Sequence, residues 1–126
     1  MKTLPLRLSL IALGLVIVGC SSRSQTQSIQ DASTQQKIVL TKENNEGNVY
    51  GLTVRMRGNI SGEADISLML SEDKAYYTET VSGDVQFRWR GDWYADEIEI
   101  LYEPKTETSG SIDIKYDFWA DQLTEE

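Results

Sequence analysis

Histidine is absent from this chain of 126 residues and cysteine occurs once, as Cys20. The side chains that most often serve as bases, nucleophiles and zinc ligands near neutral pH are therefore missing. A Ser-His-Asp or Cys-His centre cannot be assembled, and neither can the usual zinc site. Carboxylate chemistry remains. Asp92, Asp96, Glu97, Glu99 and Glu103 form the densest acidic stretch. Two such groups could in principle divide acid and base roles on a glycoside, or hold Ca²⁺ through oxygen ligands. The spacing argues for a plainer role. Glu97, Glu99 and Glu103 alternate with Ile98, Ile100 and Tyr102, which puts them on the outward side of a strand, and no Asp-x-Asp-x-Asp-Gly loop is present. No catalytic residue, metal or cofactor is expected, and the chain reads as non-enzymatic.

Binding chemistry is better represented. Arg55, Arg57, Arg88 and Arg90 occupy outward positions of two predicted strands in a chain whose formal net charge is −8. On neighbouring strands they would form a patch able to grip a sugar phosphate, an acidic polymer or a partner's carboxylates. The pattern favours a duller arrangement, cross-strand pairing with Glu97, Glu99 or Asp65, each exposed pair contributing about 0.2–1 kcal/mol. Trp93 and Tyr94 sit in the run Arg90-Gly91-Asp92-Trp93-Tyr94-Ala95-Asp96, two large rings beside a turn. Such rings either contact a partner or fold back to plug the end of the core, and both readings stay open. These four arginines and two rings are the candidate binding residues. Tyr76-Tyr77 is a weaker case, because a strand there must expose one of the two.

The N-terminus supplies an address. Lys2 and Arg7 precede an apolar run from Leu8 to Val18. That run falls short of the ~20 residues a spanning helix needs, but it suits a cleaved signal. It closes on Ile17-Val18-Gly19-Cys20, which resembles the lipobox of bacterial lipoproteins. The resemblance implies that residues 1–19 are a signal peptide, that the Cys20 thiol receives a diacylglycerol, and that the acylated cysteine becomes the first residue. Each buried methylene adds roughly 0.8 kcal/mol to membrane binding, and two chains generally anchor stably. The family's inner-membrane retention signal, an aspartate after the cysteine, is replaced here by Ser21. The resemblance therefore implies the outer membrane of a Gram-negative cell, or the outer face of the membrane where a cell has one only.

Loss of Lys2 and Arg7 takes the formal charge from −8 to −8 − 2 = −10, and the remainder suits one domain held together by its core, with no second cysteine for a disulfide. An acidic surface repels nucleic acid and anionic headgroups alike, so nucleic acid is not expected as a partner and membrane attachment is assigned to the lipid on Cys20. Residues 20–36 read as the lipidated cysteine and a flexible tether. Ser21 to Gln36 is rich in serine, glutamine and threonine, and a coil of that length spans about 20–24 Å.

Residues 37–126 read as the folded domain. Alternation with period two marks Tyr50–Arg57, Ala64–Leu70, Asp84–Arg90, Glu97–Glu103 and Ile112–Phe118, with weaker candidates at Lys37–Lys42 and Ala75–Val81. About seven half-buried strands joined by short turns predict an all-β fold, an antiparallel two-sheet β-sandwich, with a small up-and-down β-barrel as the competing architecture. Ser61-Gly62, Ser82-Gly83 and Ser109-Gly110 each lead into an apolar alternation, as though one turn-into-strand solution were used three times. Taken together, the expectation is a lipid-anchored binding or structural domain for another envelope component, a protein in the first instance. The alternative is a lipocalin-like carrier of a small apolar ligand, marked by a cavity lined with Phe87, Trp89 and Tyr116. Anchoring is expected to rest on Cys20, so Cys20→Ser should leave the chain unprocessed and move it to the aqueous phase in detergent partitioning. Full processing and retention in the detergent phase would refute the lipobox reading.

Overall fold

The structure, a computed structural model, describes residues 24–44 and 46–122. The signal segment and Cys20 lie outside the described residues. Six strands follow one another: β1 (Gln25–Ile29), β2 (Gln36–Thr41), β3 (Glu46–Ser71), β4 (Lys74–Asp92), β5 (Glu97–Pro104) and β6 (Ser109–Gln122). They form one antiparallel sheet curled into a half-barrel, in the order β1-β6-β3-β5-β2, with β4 along the other edge of β3.

The alternation predicted from the sequence is present, but two of the breaks that turn residues suggest, at Gly58-Asn59 and Ser82-Gly83, are strand interiors. Residues 50–57 and 64–70 belong to one strand, β3, and residues 75–81 and 84–90 to one strand, β4. At 26 residues β3 is several times the usual strand length. Its first half pairs with β6 on one side and with Gly83–Asp92 of β4 on the other; its second half pairs with β5 and with Lys74–Ser82 of β4. The expected two sheets are thus replaced by a single hydrogen-bonded sheet, because the long β3–β4 hairpin runs through both halves.

What lets it do so is a line of glycines. Ile60 on β3 lies opposite Gly83 on β4 and Gly110 on β6, and the β3–β4 register shifts between Ile60 and Glu63. Gly62, Gly83 and Gly110 have φ of 92°, 65° and 113°, a left-handed backbone that a Cβ disfavours. These are the three Ser-Gly pairs that recur in the sequence. They are creases in adjacent strands, and only the third, Gly110, follows a true connection. The loop from Pro104 to Ser109 seals the crease. The Lys105 N–H donates to the Glu63 carbonyl at 2.8 Å, the Glu63 N–H donates to Thr106 Oγ1 at 3.0 Å, and the Ser61 and Ser109 hydroxyls meet at 2.8 Å.

Inward residues of both halves belong to one buried cluster: Leu52, Val54, Met56, Ile112, Ile114 and Phe118 from one, and Ala64, Ile66, Leu68, Ile98, Ile100 and Tyr102 from the other. Burying an aliphatic or aromatic side chain contributes roughly 1.5–3 kcal/mol, so this cluster is the main source of cohesion in a chain without a disulfide. Tyr102 is fully buried and donates its hydroxyl to the Ala32 carbonyl at 2.7 Å. Burial, reinforced by the nearby Asp31 charge, raises its pKa and keeps it a protonated donor. Two register breaks displace predicted core residues. A shift between Val49 and Gly51 leaves Tyr50 exposed, and shifts around Met69 leave Leu70 exposed.

The expected tether is also shorter than its composition suggests. Gln25–Ile29 is strand β1, paired with Ile112–Tyr116 of β6. Ile29 and Ala32 are fully buried, and the Ala32 N–H donates to the Gly110 carbonyl at 3.0 Å. Two apolar anchors and the free edge of β6 suffice to dock a segment that is otherwise polar.

The crease can be tested. Gly110→Ala adds a Cβ 2.2 Å from the Asn59 carbonyl oxygen, whereas Gly83→Ala meets nothing within 4 Å. Gly110→Ala should cost about 3 kcal/mol or more and Gly83→Ala about 1 kcal/mol, read from urea midpoints. Equal costs would remove the close approach at Gly110 as the cause.

Candidate functional site

The register assembles a cationic face on the outer side of the first half-sheet. Arg55 on β3 lies directly opposite Arg88 on β4 and directly opposite Lys115 on β6, so three cations form one row across three adjacent strands. Arg57 and Arg90 flank the row, and all five side chains are exposed. Directly opposed residues stand with Cβ atoms about 4.5–5.5 Å apart, and like charges in that position are destabilising. Asp113 faces Arg57 and Asp117 faces Thr53 in register. None of the four candidate arginines forms an ion pair with a described residue: the ion pairs there are Lys37–Glu99 and Lys42–Asp96 at 3.4 Å and Lys105–Asp65 at 3.9 Å.

The cross-strand pairing expected from the sequence is therefore overturned. Glu97, Glu99 and Asp65 lie on the other half of the sheet, on β5 and the second half of β3. There Glu99 is held by Lys37 and Asp65 by Lys105. The two halves of the outer surface differ as a result. Arg55, Arg57, Arg88, Arg90 and Lys115 stand among Asp84, Asp92, Asp113 and Asp117 on one half, while Asp65, Glu97, Glu99 and Glu103 dominate the other.

The cationic row lines an open groove of about 680 Å³, with Thr26, Arg55, Arg57, Arg88, Asp113 and Lys115 among its walls. A smaller groove beside it is bounded by Ser24, Arg55, Lys115 and Asp117. At one end of the face, Arg90 stacks over the Trp119 ring at 4.5 Å from its centroid, and Tyr50 approaches the same ring at 6.4 Å. An exposed cation–π contact of this kind is worth about 0.5–1 kcal/mol and holds the guanidinium in the plane of the face. Gly51 makes room for the ring, since a Cβ there would stand 2.3 Å from Trp119 Cε3.

Trp93 and Tyr94 part company. Trp93 is 8 % exposed and belongs to the core cluster. Its indole N–H donates to the Glu97 carbonyl at 3.1 Å, and Tyr76 packs 6.1 Å from its ring. It plugs the end of the core. Tyr94 beside it is 75 % exposed, and lies apart from the cationic row in sequence and in register. Among the described residues no group of three potential metal ligands forms from His, Cys, Asp or Glu. Lys115, Trp119 and Thr26 were not singled out as site residues by the sequence. Lys115 could be placed on the outward side of its strand, but its neighbours depend on β6 lying beside β3 and not beside β5.

Fold and site together define an all-β protein whose curled sheet carries a row of three aligned cations on its outer side. No protein-family model matches the chain, and no curated protein matches it. Among solved structures it is similar to the crystal structure of PirA, with 16 % identity and a TM-score of 0.51, covering 76 % of this chain and 94 % of that one. A likeness at that identity speaks for the fold alone. The structure of T=1 particles derived from infectious bursal virus gives 12 % identity and a TM-score of 0.28 over 90 % of this chain and 41 % of that one.

Like charges set directly opposite one another should be a burden on stability. Arg55→Gln removes the central cation between Arg88 and Lys115, and should leave the protein as stable or raise its stability by about 0.2–1 kcal/mol in urea unfolding. A loss of more than about 1 kcal/mol would make Arg55 a structural residue.

Proposed function

We propose that this protein is a lipid-anchored, non-enzymatic binding module of the cell envelope, sorted to the outer membrane where the cell has two. Its cationic face engages an envelope component that presents clustered anionic oxygens. The observation that carries the reading is the row Arg88–Arg55–Lys115. In a chain with twenty acidic residues, three cations aligned without a described counter-ion make sense as a place where the counter-ion is the ligand. Arginine forks suit carboxylate and phosphate oxygens bidentately. An envelope protein would need an acidic segment to fit this face. The absence of histidine from the sequence supports a role in binding over catalysis.

Two finer readings belong with it. The halves of the sheet are taken to lie face to face in the manner of a sandwich, supported by the single buried cluster that both line. A lipocalin-like carrier is less well supported. Phe87 is among the walls of the large groove and Tyr116 of the small one, but Trp89 lines neither, Tyr116 is buried, and the large groove is lined mainly by outward charged and polar side chains.

The test uses an anionic matrix. At low salt, the mature chain carrying Cys20→Ser should be retained on phosphocellulose despite its net charge of −8 − 2 = −10, and Arg55→Gln with Arg88→Gln should release it. Flow-through of the unaltered face would refute the anion-binding reading.

A further inference from the structure

We propose that the cationic face is the surface on which the domain rests against its own membrane, with the arginines taking the phosphates of anionic headgroups and the acidic half of the sheet held away from the leaflet. The proposal rests on the reading of Cys20 as lipidated.

The first argument is where the chain leaves the fold. Ser24 bounds the smaller groove with Arg55 and Lys115, and Thr26 lies opposite Lys115 and lines the larger groove. The N-terminal segment therefore leaves the sheet at the margin of the cationic face. Because β1 is docked from Gln25 onward, only three residues separate Cys20 from Ser24, and the four steps of chain between them span at most about 14 Å. A diacylglyceryl group on a cysteine thiol holds that cysteine at headgroup depth. A sixteen-residue coil would have let any face turn toward the leaflet; three residues keep this one beside it.

The second argument is charge. A strongly acidic domain tied to an anionic surface is repelled by it in every orientation except the one that turns its cations inward. The aligned row Arg88–Arg55–Lys115 provides that orientation, while the other half of the sheet carries Asp65, Glu97, Glu99 and Glu103. Each Lys or Arg brought to an anionic leaflet shifts the equilibrium about fivefold. The third is the shape of the site. The row lies in an open groove, accessible to a plane of headgroups, and it ends in Tyr50 and Trp119, ring types that settle at membrane–water interfaces. The sequence alone assigned attachment wholly to the lipid because net charge averages over both halves. The register separates them.

The experiment places the full lipidated chain on vesicles of phosphatidylcholine with and without phosphatidylglycerol, and reads lysine labelling by an amine-reactive reagent and mass spectrometry. Labelling of Lys115 should fall on phosphatidylglycerol vesicles while Lys37 and Lys105 are unchanged, and high salt should restore it. Arg55→Gln with Arg88→Gln should weaken the protected orientation roughly twenty-five-fold while flotation persists. Equal labelling of Lys115 on both vesicles, in a chain that floats with each, overturns the proposal and leaves the anchor intact. A chain that floats with neither overturns the anchor reading and the proposal with it. Protection of Lys115 by polyglutamate on neutral vesicles, without protection by phosphatidylglycerol, assigns the face to an acidic protein segment and overturns the lipid assignment.

Discussion

The left-handed backbone at Gly62, Gly83 and Gly110 is the constraint on which the rest of the molecule depends. A sheet whose central strand runs for 26 residues would, if merely twisted, leave one apolar face open to water. Creasing β3, β4 and β6 along one line curls that face onto itself, so that Ile114 and Ile100, on strands that never pair, join one core. The crease also separates what remains outside into two surfaces. Each half then acquires its own neighbours, since residues of β6 lie only beside the first half of β3 and residues of β5 only beside the second.

Two kinds of charge arrangement coexist on this sheet, and they follow different rules. On the acidic half the lysines are matched to carboxylates, as in Lys37–Glu99 and Lys105–Asp65, at the tenths of a kcal/mol typical of exposed pairs. On the basic half one row, Arg88–Arg55–Lys115, sets like against like, although Arg57 in the next row faces Asp113. Folding alone offers no gain for that row.

Much of the fold could be read from the chain. The alternation at Leu52, Val54 and Met56, or at Ile98, Ile100 and Tyr102, identified buried faces that the structure confirms. Continuity was harder. Gly58-Asn59 and Ser82-Gly83 have the composition of turns, yet they are strand interiors, because a bend within a strand and a reversal between strands both call on glycine. The register breaks that exposed Tyr50 and Leu70 have no local signature at all. The candidate site was half legible: the arginines announced themselves by type and spacing, but whether they faced one another or faced Glu97 and Glu99 was a question of strand order, and strand order is set by long-range pairing. β1 was hidden for a similar reason. Gln25 to Ser28 are polar, and their place in the sheet comes from an edge some ninety residues away.

That pairing of β1 with β6 has a consequence for how the molecule comes together. The β3–β4 hairpin turns at Glu72 and Asp73 and can zip outward from there, but β1 has no partner until β6 has docked on β3. Joining strands 91 residues apart before the centre has formed would cost about 4 kcal/mol of chain entropy. β1, the shortest strand and at one edge of the sheet, is easily lifted away again. Peeling β1 from β6 takes Ile29 out of the core and frees the chain ahead of β2, so a strand of five residues decides whether the N-terminal segment is held against the sheet or swings clear of it.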